Sequence, residues 1–512
     1  MMTLAKMVSK FFKRNKPDIV LLLLLLAFVY RAWSTLPQLT IRSEGFFYLI
    51  SGNLQYYWAN VPIPITGFEA VGYMLGAIFP KIFGVHLSYY YWLEVFFLLL
   101  IAFLFYIFVK ILTKNNFVAF AASLIVSSSY FGVYDMVSGH SYSFFFSRIT
   151  TVPFLMVSIT CLHLFLNHRK VKYYLYSLLF YILGIGLGYF NLLFTPLYVF
   201  YPVFWELIKK GAFKKRIKGI YYASPYLLLS GLFNSIHLIR DGAVSPHQWI
   251  FTEFLLQPEK YLYLKKIALQ FVYWSQYPII FQNLSRDVLN SIIDYRQAGS
   301  YIPIVLIVYI LAAVTVYKFL PTQRPMLLTI ICGIPIIFYL NAYLGQYDML
   351  NFSGASRYLY IQTFLLAIFW SYFLWAVFWR KKNIWVLGGV LILALYYAIN
   401  VWLIDGNNRL AVGWSKSTRV IFDYVISTRE KVFPHTLIVV TYPEFGFHES
   451  VFFTEHIGKG EVKYLSENNL VNVRPWEEVA SSSARVIRLS YNQKCNCVVE
   501  EKIKKSVKIE YD

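Results

Sequence analysis

Long uninterrupted apolar runs, broken by short polar punctuation, fill the first 404 residues of the chain. A helix needs about 20 apolar residues to cross roughly 30 Å of hydrocarbon. With that ruler the sequence divides into about eleven spans, near 18–36, 88–112, 117–136, 149–167, 173–189, 190–207, 219–238, 301–319, 325–345, 358–379 and 384–404. The first run follows a basic stretch ending at Lys16, but no small-x-small cleavage signature follows Trp33 and the run is long enough to span, so it reads as a retained signal anchor. From Asp405 onward the pattern changes. An apolar-periodic helix is predicted at 416–432, a β-branched strand at Leu437 to Tyr442, a helix after Phe445, and strands at Ala484 to Ser490 and Val498 to Tyr511. The predicted fold class is an all-α polytopic membrane protein of about eleven transmembrane helices over 1–404, followed by a small α/β exoplasmic domain over 405–512.

Charge gives this pattern a direction. The net charge is +21, and 21 of the 47 Lys and Arg fall in the segments Lys6 to Lys16, Lys110 and Lys114, Arg169 to Lys172, Lys209 to Lys218, Lys318 and Arg324, and Arg380 to Lys382. Lys and Arg resist translocation, so these loops are expected in the cytoplasm, with the N-terminus beside them and, after an odd number of spans, the C-terminal segment outside. The cytoplasmic loops are short. The outer segments include a first loop of 37–87 and a later one of 239–300, so the working surface is expected to face away from the cytosol. Residues 67–83 read as an interfacial helix, with Tyr56, Tyr57 and Trp58 at headgroup level, and the aromatic and basic residues of 250–298 also suit the interface.

A composition of 58% hydrophobic, 20% aromatic and 14% charged residues excludes an ordinary soluble protein. The basic residues flank apolar segments instead of forming a stripe with interleaved aromatics, so no nucleic-acid partner is expected and the membrane lipid is. A multi-pass protein of a prokaryotic plasma membrane is the expected setting. Cys161 and Cys332 fall within spans, and Cys495 and Cys497 stand one residue apart, a poor spacing for a bridge or a zinc site. The tail carries no Gly-rich phosphate loop and no nucleophile elbow, so no catalysis is assigned to it.

An ionisable group near hydrocarbon is costly and is a functional candidate by default. Glu44, in Arg42-Ser43-Glu44-Gly45-Phe46-Phe47-Tyr48, is the sharpest, against the plainer reading of a surface carboxylate paired with Arg42. Asp135, His140 and Arg148 cluster in one short outer segment. Arg357 and Tyr358 end Ser353-Gly354-Ala355-Ser356-Arg357-Tyr358, where small residues leave room for an anion and a guanidinium offers two parallel hydrogen bonds. Either arginine otherwise snorkels to the bilayer edge. His237 and Arg240 close the seventh span, Glu69 lies on the interfacial helix, and Glu94 sits in the outer third of the second span.

The outer-loop pattern resembles the GT-C class of membrane glycosyltransferases, which contains the protein O-mannosyltransferases and the enzyme that adds aminoarabinose to lipid A. The matching pieces are Ser43 to Tyr48, then Pro62 and Pro64, then Gly67 to Phe79 and the Ile82-Phe83-Gly84 turn. The likeness covers about the first 200 residues as motif and the remainder only as topology. Ser43 stands where the family places the first acid of its pair, which leaves that role to Glu44, to another acid, or to none.

The resemblance implies an inverting transfer of a sugar from a polyprenyl-phosphate donor to an acceptor hydroxyl of a protein, lipid or polysaccharide on the exoplasmic face. A carboxylate takes up the hydroxyl proton and cations stabilise the departing phosphate. Glu44 is the base candidate, Asp135 a second acid or metal ligand, and Arg148 and Arg357 the phosphate ligands, with His140, Tyr358, His237, Arg240 and Glu69 lining the substrate. No cofactor is required with certainty, and the metal content is left open. A transporter or flippase of lipid-linked sugars is the second reading, disfavoured because no internal repeat is evident and the ionisable groups gather at one face. A non-catalytic membrane scaffold is the third.

Overall fold

The structure is a computed structural model that describes residues 16–38, 82–83, 87–128, 152–186, 194–208, 213–240, 298–319, 324–343, 360–379, 383–428, 432, 435–441, 453–454, 461–466 and 485–503. Eleven α-helices and four strands fall within them. In chain order the helices are α1 (Lys16–Trp33), α2 (Leu87–Thr113), α3 (Asn116–Ser127), α4 (Val152–His168), α5 (Val171–Gly186), α6 (Thr195–Ile208), α7 (Phe213–Arg240), α8 (Ala298–Phe319), α9 (Arg324–Tyr343), α10 (Tyr360–Leu374) and α11 (Asn383–Thr428). Each predicted apolar segment overlaps one of them. Three stretches, Ile19–Gln38, Ser88–Thr113 and Val386–Gly406, are long and apolar enough to cross a membrane.

The helices bury one set of side chains and expose another that is equally apolar. Leu23, Leu228, Leu311, Leu395 and Trp402 are all more than half exposed, on four different helices. In water such surfaces drive association, whereas in a bilayer they are solvated by lipid tails. Helix contact then cannot depend on expelling water, and interhelical hydrogen bonds and close backbone approach take over.

Both devices occur among α4, α5, α6 and α7. Ser158 Oγ donates to the Ser177 carbonyl at 2.6 Å and Ser177 Oγ to the Ser158 carbonyl at 2.8 Å, while Tyr226 Oη lies 2.6 Å from Ser177 Oγ. Tyr181 Oη meets Thr195 Oγ1 at 2.8 Å, Tyr198 Oη donates to the Leu155 carbonyl at 2.9 Å, and Tyr174 Oη to that of Tyr222 at 2.9 Å. The tyrosine rings pack on one another between these bonds. At Gly219 of α7 a Cβ would stand 2.8 Å from the Pro202 carbonyl oxygen and 2.8 Å from Val203 Cα, so the absence of a side chain sets how closely α6 and α7 approach. Pro202, Pro225 and Pro335 sit inside helices, a use tolerated where neighbouring helices satisfy the freed carbonyls.

The change of composition at Asp405 is not a change of secondary structure. The expected span 384–404 and the expected separate helix 416–432 are one helix, α11, of 46 residues. Beyond Gly406 the helix has contacts of its own: Asn408 is buried and bonded to Thr35 just past α1, and Phe422 and Val425 are buried in the core that includes Phe453 and Tyr464. The strands are β1 (Thr436–Thr441), β2 (Lys463–Ser466), β3 (Arg485–Asn492) and β4 (Cys497–Ile503), in the order β2-β1-β3-β4. β1 pairs in parallel with β2 and β3, and β4 closes one side antiparallel to β3. β1, β3 and β4 follow the sequence pattern. β2 was not expected, because its four residues alternate too briefly to stand out and its place is secured by pairing with β1.

The reading of Cys495 and Cys497 is corrected by the structure. They are joined in a disulfide across the β3–β4 turn, with Cα atoms 5.2 Å apart. The turn carries Asn496 at φ 50°, a left-handed conformation that asparagine tolerates, and this bend brings two neighbouring side chains to bridging distance.

Candidate functional site

Glu44, Glu69, Asp135, His140, Arg148, Arg357 and Tyr358 lie outside the described residues. His237 and Arg240 fall in the last turn of α7, whose backbone is helical there, at the opposite end from Lys214 to Lys218. Of the ten sequence candidates, His237 and Arg240 share one described helix and Glu94 lies on another, α2.

Around the C-terminal end of α1 the geometry is defined in detail. α1 is seated by Trp33 Nε1 donating to the Ser127 carbonyl at 2.6 Å, and by Tyr397 Oη donating to the Phe28 carbonyl at 2.9 Å. Where α1 ends, a series of polar contacts ties it to α11. The Arg31 guanidinium pairs with Asp405 at 3.0 Å, Asn408 Nδ2 donates to Thr35 Oγ1 at 2.7 Å, and Arg419 Nη1 donates to the Gln38 carbonyl at 3.2 Å. Leu36–Gln38 forms a 3₁₀ turn packed on α2. The chain thus departs for residue 39 from a point held between α2 and α11, six residues before Glu44.

Glu94 lies on α2, seven residues after its first. Its side chain is 2% exposed, and Oε2 meets no hydrogen-bond partner among the described residues. One turn earlier Tyr90 is buried, with the Phe83 ring edge-on to it at 5.4 Å. A carboxyl so placed has lost its hydration, and solvent does not compensate it. Asp405 Oδ1 and Asn408 Oδ1 are likewise buried without a partner among the described residues. Three acceptor oxygens therefore face the interior on α2 and α11, the two helices that flank the exit of α1.

A second polar group was not expected from sequence. His163 Nδ1 meets Tyr201 Oη at 2.5 Å, Asn167 Nδ2 meets His163 Nε2 at 2.9 Å, and Arg169 pairs with Glu206. The His163–Tyr201 and Arg169–Glu206 contacts join α4 and the residue after it to α6, while Asn167 holds the His163 ring from within α4. Their only sequence signal is a His and a Glu interrupting apolar helices, which does not reveal the partners. Nearby, α2, α4, α6, α9 and α10 enclose a cavity of about 40 Å³ lined by apolar side chains, including Phe105, Phe194, Leu197 and Phe364. Among the described residues no three His, Cys, Asp or Glu gather in a way that would hold a metal ion.

The arrangement belongs to a mostly helical chain with helices of membrane-spanning length and a small mixed sheet. No family model matches the chain, and no curated protein matches it.

Proposed function

We propose that the chain is an integral membrane glycosyltransferase of eleven spans that moves a sugar from a polyprenyl-phosphate donor to an acceptor hydroxyl on the exoplasmic face of the plasma membrane. The observation that carries this reading is the motif Glu44-Gly45-Phe46-Phe47-Tyr48, an acid followed by glycine and aromatics just past the exit of α1. Its likeness to the GT-C class gives the reaction. Support for the siting comes from the Arg31, Thr35 and Gln38 contacts with α11, which fix the start of the loop that bears the motif.

In the proposed reaction Glu44 accepts the acceptor's proton as the glycosidic bond forms. Arg148 and Arg357 neutralise the phosphate as it departs with its lipid. Asp135 is a second acid, and His140, Tyr358, His237, Arg240 and Glu69 contact donor or acceptor. The basic loops lie in the cytoplasm and the sheet outside.

The test is Glu44→Gln in purified, folded protein, assayed with synthetic polyprenyl-phosphate sugars. A general base contributes about 10²- to 10⁴-fold, and a loss of that order is expected. Unaltered transfer removes Glu44 from the mechanism.

A further inference from the structure

We propose that Cys495 and Cys497 form a thiol–disulfide exchange centre, open to soluble thiols in the aqueous compartment that the sheet faces. The inference is independent of the sugar-transfer reading.

The bridge sits at the tip of a hairpin and is presented to solvent. Asn492, Gln493, Lys494, Cys495 and Asn496 are all exposed, and Cys497 is half-buried. As a structural staple it has little to do. The entropy that a crosslink removes from an unfolded chain grows with the loop it closes, and this loop spans a sequence separation of 2. The hairpin is held without it. β3 and β4 are in register from Val486↔Ile503 to Asn492↔Cys497, Tyr491 Oη donates to Asn496 Oδ1 at 2.7 Å, and the Lys494 amide donates to Asn492 Oδ1 at 2.9 Å. Exposed disulfides that stabilise little are the ones available for exchange.

The chemistry balances with a thiol as co-reactant. A thiolate attacks Cys495 Sγ, the S–S bond breaks, and Cys497 leaves as a thiolate that takes up a proton. A second thiol attacks the mixed disulfide, releasing the Cys495 thiol. The bridge gains two electrons, and two thiols become one disulfide.

The chain has four cysteines, and the other two are inside helices: Cys161 is buried in α4 and Cys332 is half-buried in α9. The readout is therefore clean. Full-length protein in detergent is equilibrated with graded mixtures of reduced and oxidised glutathione, quenched with N-ethylmaleimide, and mapped by mass spectrometry. The expected result is reversible opening of the bridge in the folded state, capture of a glutathione mixed disulfide at Cys495 in Cys497→Ser protein, and a thermal midpoint that changes by no more than a few degrees on reduction. The proposal is overturned by a bridge that stays closed in excess reduced glutathione until denaturant is added. It is equally overturned by reduction that unfolds the sheet, or by free thiols at both positions in protein isolated from an oxidising compartment.

Discussion

Glu94 is the described residue whose chemistry is hardest to reconcile with a purely structural role. A buried carboxyl oxygen without a partner costs stability, and the neutral isostere relieves that cost. Glu94→Gln is expected to leave the thermal midpoint equal or raise it by about 1–2 °C. A midpoint that falls sharply would mark Glu94 as paired and structural. The Arg31–Asp405 pair predicts the reverse balance. Arg31 is more than half exposed and Asp405 mostly buried, so the coupling is modest, about 1 kcal/mol. A double-mutant cycle with Arg31→Ala and Asp405→Asn, read by thermal unfolding in detergent, measures it. Asp405→Asn alone is expected to cost less than Arg31→Ala, which leaves a buried carboxylate uncompensated.

At the scale of elements, the α6–α7 contact has a single tight point. A methyl group at Gly219 meets the α6 backbone at Pro202 and Val203, which cannot yield, so Gly219→Ala is expected to destabilise the protein by about 1–3 kcal/mol. A methyl at Gly184 comes within 2.6 Å of Leu155 Cδ2, the end of a side chain that can rotate away, so Gly184→Ala is expected to be clearly milder. Comparing the two midpoints checks the distinction. The helices themselves were legible in the sequence, because apolar length and flanking charge are local properties. So were β1, β3 and β4, whose β-branched residues alternate or run together. The joining of 384–404 with 416–432 into α11 was not, since Asp405, Asn407 and Asn408 look like a break in sequence until Asp405 is seen to pair with Arg31 and Asn408 with Thr35. The Cys495–Cys497 bridge was missed because spacing alone says nothing of a left-handed residue at 496. For the candidate site, sequence marked Glu94 as unusual, but the approach of Asp405 and Asn408 to the exit of α1 depends on residues more than 370 positions apart.

Over the whole molecule, the distribution of charge and the position of the sheet make one topological statement. If the basic loops face the cytoplasm, residues 436–503 lie outside. Protease added to intact, cell-wall-stripped cells is then expected to remove a C-terminal epitope tag and spare an N-terminal one, and protection of the C-terminal tag would invert the assignment. One helix carries the chain from the apolar stretch Val386–Gly406 to within eight residues of β1. From Gly406 to Thr428, α11 extends about 33 Å without interruption, and Tyr424 near its far end donates to Glu500 of β4 at 2.8 Å. Burial, reinforced by the Glu500 carboxylate, pushes the Tyr424 hydroxyl up to about 12, so it remains a donor throughout the neutral range.

A rod of that length works as a lever about Gly406. A 5° tilt about Gly406 displaces Thr428 by about 3 Å, while the Arg31–Asp405 and Asn408–Thr35 contacts lie at the pivot and the Arg419–Gln38 contact about 20 Å along the rod. Because Arg419 of α11 holds the Gln38 carbonyl, a tilt of the sheet reaches the last described residue after α1.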